Sequence, residues 1–345
     1  MRKILNMMIC VSVFFFSFSV YARIDPSNPP TDNLDYLEVQ RRIDALLPEI
    51  PGLLQFKPLC KFKFAEWPNG IKDSGAKYQE AFNGYSIKTD NNKVYILDKE
   101  GRSIFEFNPA NSFISLRASD FPNKNILFDD FSFLRNDLLV IADNSRNALL
   151  FFKNNRFDRN IGFDGNRILF RHIDFIESDR LGRYIAVYDS GRDTTYVFSE
   201  EGQLIWEISG RTEPCFYGNS LIRFDKSDNT LSVQRVSDIT RDPVSLATYS
   251  CQAGNIILDA WTAGTSGGQL IIVVYEGRGD EDHLDYAKLL IIKDQSIKTQ
   301  RFRPNLDLRL SLNVPYRLLM TRKGLELITA RIVDDGIEII GAPVK

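Results

Sequence analysis

The chain contains very little histidine: His172 and His283 are the only two in 345 residues, so no site built from three imidazoles can exist. Cysteine is scarce as well. The four residues show no C-x-x-C spacing, which leaves no support for a zinc ribbon or for thiol–disulfide exchange. No charge of one sign dominates, since 43 basic and 45 acidic side chains leave a net charge of -2. A nucleic-acid binder would show a basic patch or stripe, and none is visible, so no nucleic-acid partner is expected. The Gly/Ser/Thr-rich stretch AWTAGTSGGQL at 260–270 lacks the lysine of a phosphate-binding loop and reads as a connection between strands.

What is present starts at the second residue. Arg2 and Lys3 precede a long apolar run from Ile4 to Val20, and Val20-Tyr21-Ala22 supplies small residues at the -3 and -1 positions of a cleavage site before Arg23. This is the pattern of a secretory signal peptide over 1–22. An uncleaved anchor is the competing reading, because a run of about 17 residues lies at the lower limit for a membrane span. Cleavage implies a periplasmic or secreted protein with no stable membrane insertion. RIDPSNPPTDN, residues 23–33, reads as a linker. Over 34–50, Leu34, Leu37, Ile43, Leu46 and Leu47 recur at helical spacing before Pro48 and Pro51, which predicts a short amphipathic helix.

Export would leave Cys60, Cys215 and Cys251 in an oxidising compartment, where two can pair. Cys215 and Cys251 lie about one repeat length apart, each beside turn residues (EPCFYGN, YSCQAGN), and are the expected disulfide. Cys60 then remains as a small hydrophobe.

From about residue 80 the helical period disappears. Short runs of Val, Ile, Leu, Phe and Tyr alternate with Asn, Gly, Asp and Ser clusters, the signature of an all-β fold. NKVYILDKEGRSIFEF sets Asp98 nine residues before Phe107; Asp143 stands nine before Phe152, and Asp189 nine before Phe198. The steps between the aspartates are 45 and 46 residues. Each unit is an alternating strand, a polar turn headed by Asp, and a second strand ending in Phe. Asp98, Asp143 and Asp189 are expected to close turns by accepting backbone N–H groups two or three residues on. Phe107, Phe152 and Phe198 are expected to pack between neighbouring sheets. Asp225 offers a weaker fourth case, with Gln234 at the Phe position. Further units centred near 275 and 323 bring the count to six, which predicts a six-bladed β-propeller over 51–345.

The strand–Asp–turn–strand–Phe pattern of residues 93–107, 137–152 and 182–198 resembles the NHL-type repeats of six-bladed propellers, most clearly in VIADNSRNALLFF and VYDSGRDTTYVFSEEGQLI. The resemblance implies a fold and a range of roles: protein-interaction and carbohydrate-contacting modules, and some metal-dependent enzymes. NHL-like lyases that hold a metal through histidines need more than His172 and His283 provide. Lactonase-like members would need inward-facing Glu, Asn and Asp around a divalent cation, and no spacing marks such a set here.

Two local features carry other possibilities. In GRGDEDHLDY, Asp280, Glu281, Asp282 and Asp285 could offer oxygens to calcium. The EF-hand spacing is absent, so the stretch reads as a solvated hairpin loop. Trp67, Trp206 and Trp261 would suit a sugar if they faced solvent at the propeller mouth, and otherwise pack between blades. The sequence assigns no catalytic residue, no metal ligand and no cofactor. The expected role is an exported binding or scaffold module for a protein or glycan partner in the cell envelope. The alternative is a metal-dependent hydrolase or lyase, lactonase-like, with carboxylate ligands in the central channel.

Overall fold

The computed structural model describes residues 54–63, 85–117, 126–302 and 316–344, with short breaks at turns within these ranges. The signal segment, the linker and the 34–50 helix lie outside them, as do Trp67, His283 and residues 280–282. Among the described residues there are six four-stranded antiparallel sheets, one two-residue hairpin (Phe163–Asp164 with Arg167–Ile168), and no helix. The fold is an all-β propeller of six blades.

Blades 1 to 5 each take four consecutive strands, spanning 85–117, 130–161, 173–209, 213–250 and 255–302. The first strands, Tyr85–Asp90, Asp130–Leu134, Ile173–Ser178, Glu213–Tyr217, Asn255–Ser266 and Arg317–Thr321, pack one against the next until the last meets the first. They form the inner ring. Blade 6 is composite. Its three inner strands come from 317–343 and its outermost strand is Lys57–Lys63, paired antiparallel with Gly336–Pro343. The ring is closed by joining the two ends of the propeller sequence. Just upstream, Leu54 donates its N–H to Arg301 O at 3.1 Å, attaching the same segment to blade 5.

Burial follows position in the blade. The second strand of blade 2, LLVIAD, is buried at every position because both faces of the sheet meet a neighbour. The fourth strand, RFDRNI, is largely exposed. Each of the six interfaces between blades has its own apolar cluster. Phe62 and Ile96 belong to the one joining blades 6 and 1, Leu97 and Ile141 to that of blades 1 and 2, and Val140 and Val187 to that of blades 2 and 3. Val197 and Leu221 mark blades 3 and 4, Ile222 and Ile272 blades 4 and 5, and Ile271 and Leu327 blades 5 and 6. Burying one such side chain is worth about 1.5–3 kcal/mol, so the six interfaces, more than any turn, hold the ring together.

Phe107 is partly buried against the cluster of blades 6 and 1, with its ring centroid 6.4 Å from that of Phe62. Phe152 lies in the cluster of blades 1 and 2, while its neighbour Phe151 points to the opposite side, toward blade 3. Phe198 packs 5.9 Å from Phe170 between blades 2 and 3.

The disulfide expected between Cys215 and Cys251 is not formed; both are free thiols, as is Cys60. Cys215 lies on the first strand of blade 4, and Cys251 follows the fourth strand of the same sheet. Three strand spacings, about 14 Å in all, separate such positions, beyond the reach of an S–S bond. Cys251 Sγ instead donates to Asn255 O at 2.9 Å.

Candidate functional site

The inner ring carries polar residues where the other strands carry apolar ones, and these residues meet on the axis. Lys88 of blade 1 donates from Nζ to Asp130 Oδ2 of blade 2 (3.1 Å), and to Ile176 O (2.6 Å) and Glu177 Oε2 (2.9 Å) of blade 3. Glu177 Oε2 also pairs with Arg317 Nη1 of blade 6 at 3.0 Å. Blades 3 and 6 stand opposite each other in a ring of six, so this contact can only lie across the centre. Asp130 accepts further bonds from Ser86 Oγ and Ile176 N. Lys88, Asp130 and Arg317 are all buried, and the two cations balance the two carboxylates. Beside the network, Thr262 Oγ1 and Arg317 Nε are buried without a hydrogen-bond partner among the described residues, at a cost of about 1–3 kcal/mol each.

Two titratable side chains of blade 4 flank the axis. Burial, reinforced by the Asp259 carboxylate, pushes the Glu213 carboxyl up to about 7, against the opposing pull of Arg211 and of the Thr262 N–H. Burial, with Glu177 nearby, pushes the Cys215 thiol up to about 12, which leaves it inert as a nucleophile. Asp130 and Glu177 are the channel carboxylates that a lactonase-like metal site would call on, but each already faces a cationic side chain. No group of three or more His, Cys, Asp or Glu among the described residues is arranged to hold a metal ion. A second buried ionic cluster lies between blades 4 and 5, where Lys288 bonds Glu276 Oε2 (2.9 Å) and Tyr249 Oη (2.7 Å).

Because strands alternate in direction, the turns between second and third strands share one face with the connections between blades. The three aspartates sit at the base of these turns, all buried. Asp98 Oδ1 accepts Gly101 N at 2.7 Å, and Asp143 Oδ1 accepts Ser145 N at 3.0 Å. Asp189 reaches elsewhere: its two oxygens accept Arg171 N (2.8 Å) and His172 N (2.9 Å), tying down the segment that leads into its own blade. Asn144, which the sequence reading left aside, bonds both backbone groups of Ile173 and so joins the blade 2 turn to blade 3.

The same face holds a polar groove of about 660 Å³ on blade 3, lined by Arg171, Ser190, Arg192, Asp193, Thr194 and Glu207 among others. Asp193 Oδ1 is occupied by Tyr188 Oη at 3.0 Å, and Arg192 lies toward Asp189. The Arg171 guanidinium and the Glu207 carboxylate have no partner among the described residues, and both are exposed. At the rim, Ser190 Oγ donates to Asp174 Oδ1 at 2.8 Å, and His172 Nε2 stands 3.5 Å from the same oxygen. The carboxylate separates the hydroxyl from the imidazole, so His172 is not placed to take the Ser190 proton. The Gly264–Gly268 stretch has G-x-S-x-G spacing but turns one antiparallel strand into the next, not a strand into a helix. Trp206 and Trp261 are partly buried against interblade clusters.

No family model matches the chain, and no curated protein matches it. Solved structures do. A catalytically inactive virginiamycin B lyase from Staphylococcus aureus with quinupristin is 12% identical, with a TM-score of 0.45 over 84% of this chain and 89% of that one. A chain of the mitotic checkpoint complex is 11% identical, with a TM-score of 0.47 over 87% and 95%. A Bacteroides fragilis protein described as exported is 12% identical, with a TM-score of 0.46 over 84% and 95%. At these identities and scores the likenesses carry no argument about activity; the sheet order alone defines the propeller.

Proposed function

We propose that the chain is an exported binding module of the cell envelope, a propeller of NHL-like repeats that presents a face to a protein partner. The observation that carries this reading is the neutral ionic network across the axis. With Asp130 and Glu177 engaged by Lys88 and Arg317, the carboxylates on the axis are already paired, which favours recognition by the faces. Exposed polar side chains on the blade 3 turn face support the same role. The partly buried state of Trp206 and Trp261 supports a protein over a glycan as partner. Residues 1–22 supply the export signal, 23–33 a linker, and 34–50 a second contact through their apolar stripe; 51–345 form the propeller.

The test is crosslinking of the full-length protein in intact envelopes with reagents of several lengths. A discrete adduct with a single partner is expected, and a chain that runs alone with every reagent overturns the reading. N-terminal sequencing of the purified protein should begin at Arg23, whereas a start at Met1 overturns export. One divalent cation per purified chain, found by metal analysis, would transfer the case to a lactonase-like enzyme.

A further inference from the structure

The groove on blade 3 has a built charge pattern. Arg171 is held by its backbone: its N–H is fixed on the buried Asp189 carboxylate at the end of the second strand. Gly191 packs so closely that a Cβ there would fall 2.6 Å from Arg171 Cβ, so the turn lies directly on the arginine stem. Glu207 sits on the fourth strand, paired with Tyr196 of the third. Arg171 is thus tied to the end of the second strand while Glu207 stands on the fourth, and those strands are two spacings, about 10 Å, apart. The other charged groups in the groove are already engaged within the blade. Among the described residues this leaves the Arg171 guanidinium and the Glu207 carboxylate without a partner, on a lining that also carries the Ser190 and Thr194 hydroxyls.

We propose that this groove binds an extended peptide segment carrying an acidic and a basic side chain a few residues apart, with the acid on Arg171 and the base on Glu207. The proposal rests on the binding role above and gives it a location and a chemistry. A groove of this volume is the size of a small-molecule site, but such sites are mostly apolar, and this one is polar. Its selectivity must come from paired charges of opposite sign at fixed spacing. A peptide at about 3.3 Å per residue covers those two strand spacings in three residues.

The experiment measures binding of blocked tetrapeptides to the full chain by calorimetry: one with glutamate first and lysine last, one all-acidic and one all-basic, with free glutamate and free lysine as controls. The mixed-charge peptide should bind about tenfold tighter than either single-sign peptide, and weaken as salt is raised. Arg171→Ala and Glu207→Ala should each reduce that affinity about tenfold with melting temperature unchanged, both side chains being exposed. The charge swap, Arg171→Glu with Glu207→Arg, should restore it. Equal binding of all peptides, binding unaffected by the single variants, or no binding at millimolar peptide overturns the proposal. A partner crosslinked equally to wild type and to the double alanine variant also overturns it, while leaving the binding role intact.

Discussion

Lys88 shows how much can depend on one side chain. It serves two carboxylates and a carbonyl from two other blades, in a setting where an unpaired charge is costly. Lys88→Met should cost about 3–5 kcal/mol, because it leaves Asp130 and Glu177 with one cation between them. Urea unfolding checks this; a loss under 1 kcal/mol would mean the pairs are solvated. The aspartates give a contrasting lesson. Asp98, Asp143 and Asp189 occupy one sequence position in three repeats, yet two accept N–H groups of their own turns and the third accepts those of the segment leading into its blade. Asp225 departs further: it lies exposed within the strand Ser220–Lys226, one residue short of its end.

Among the elements, the first strands combine structural and chemical roles, and their chemistry was the part hardest to read. Strand alternation and the 45-residue period are local or regular signals, so the blades were legible in the sequence. The axis network was not, because Lys88, Asp130, Glu177 and Arg317 are single polar residues in four distant strands that share no motif. The one available signal was a polar residue at inward positions, as in YSIKTD and DFSFL. The disulfide expectation failed for a related reason: one repeat length along the chain corresponds to the full width of a blade. Thiol titration in denaturant should find three free thiols in the chain lacking residues 1–22, and a reductant should leave the melting temperature unchanged. Glu213, at the start of the blade 4 inner strand, makes this element sensitive to pH. Its folded-state pKa lies above its ordinary value of 4.5, so the folded protein holds the proton more tightly than the unfolded chain. The stability this contributes is complete below about pH 4.5 and is lost as pH rises to about 7. Wild type compared with Glu213→Gln across that window should show the difference, and parallel curves would refute it.

At the scale of the whole molecule, the composite sixth blade is the vulnerable joint. Gly336 sits opposite Lys63, and a Cβ there would lie 2.1 Å from Phe62 O. Gly336→Ala should therefore push the outermost strand away, cost about 1–3 kcal/mol, and open residues 54–63 to protease. An unchanged digestion pattern would contradict this. The joint also imposes an order of events. Lys57–Lys63 is among the first parts of the propeller to be synthesised, yet it has no place to go until Gly336–Pro343, nearly the last, has appeared. The growing polypeptide must keep that early segment waiting, its amides unspent, while five blades accumulate. Any interruption before Gly336–Pro343 is made would release an arc with an open, adhesive margin.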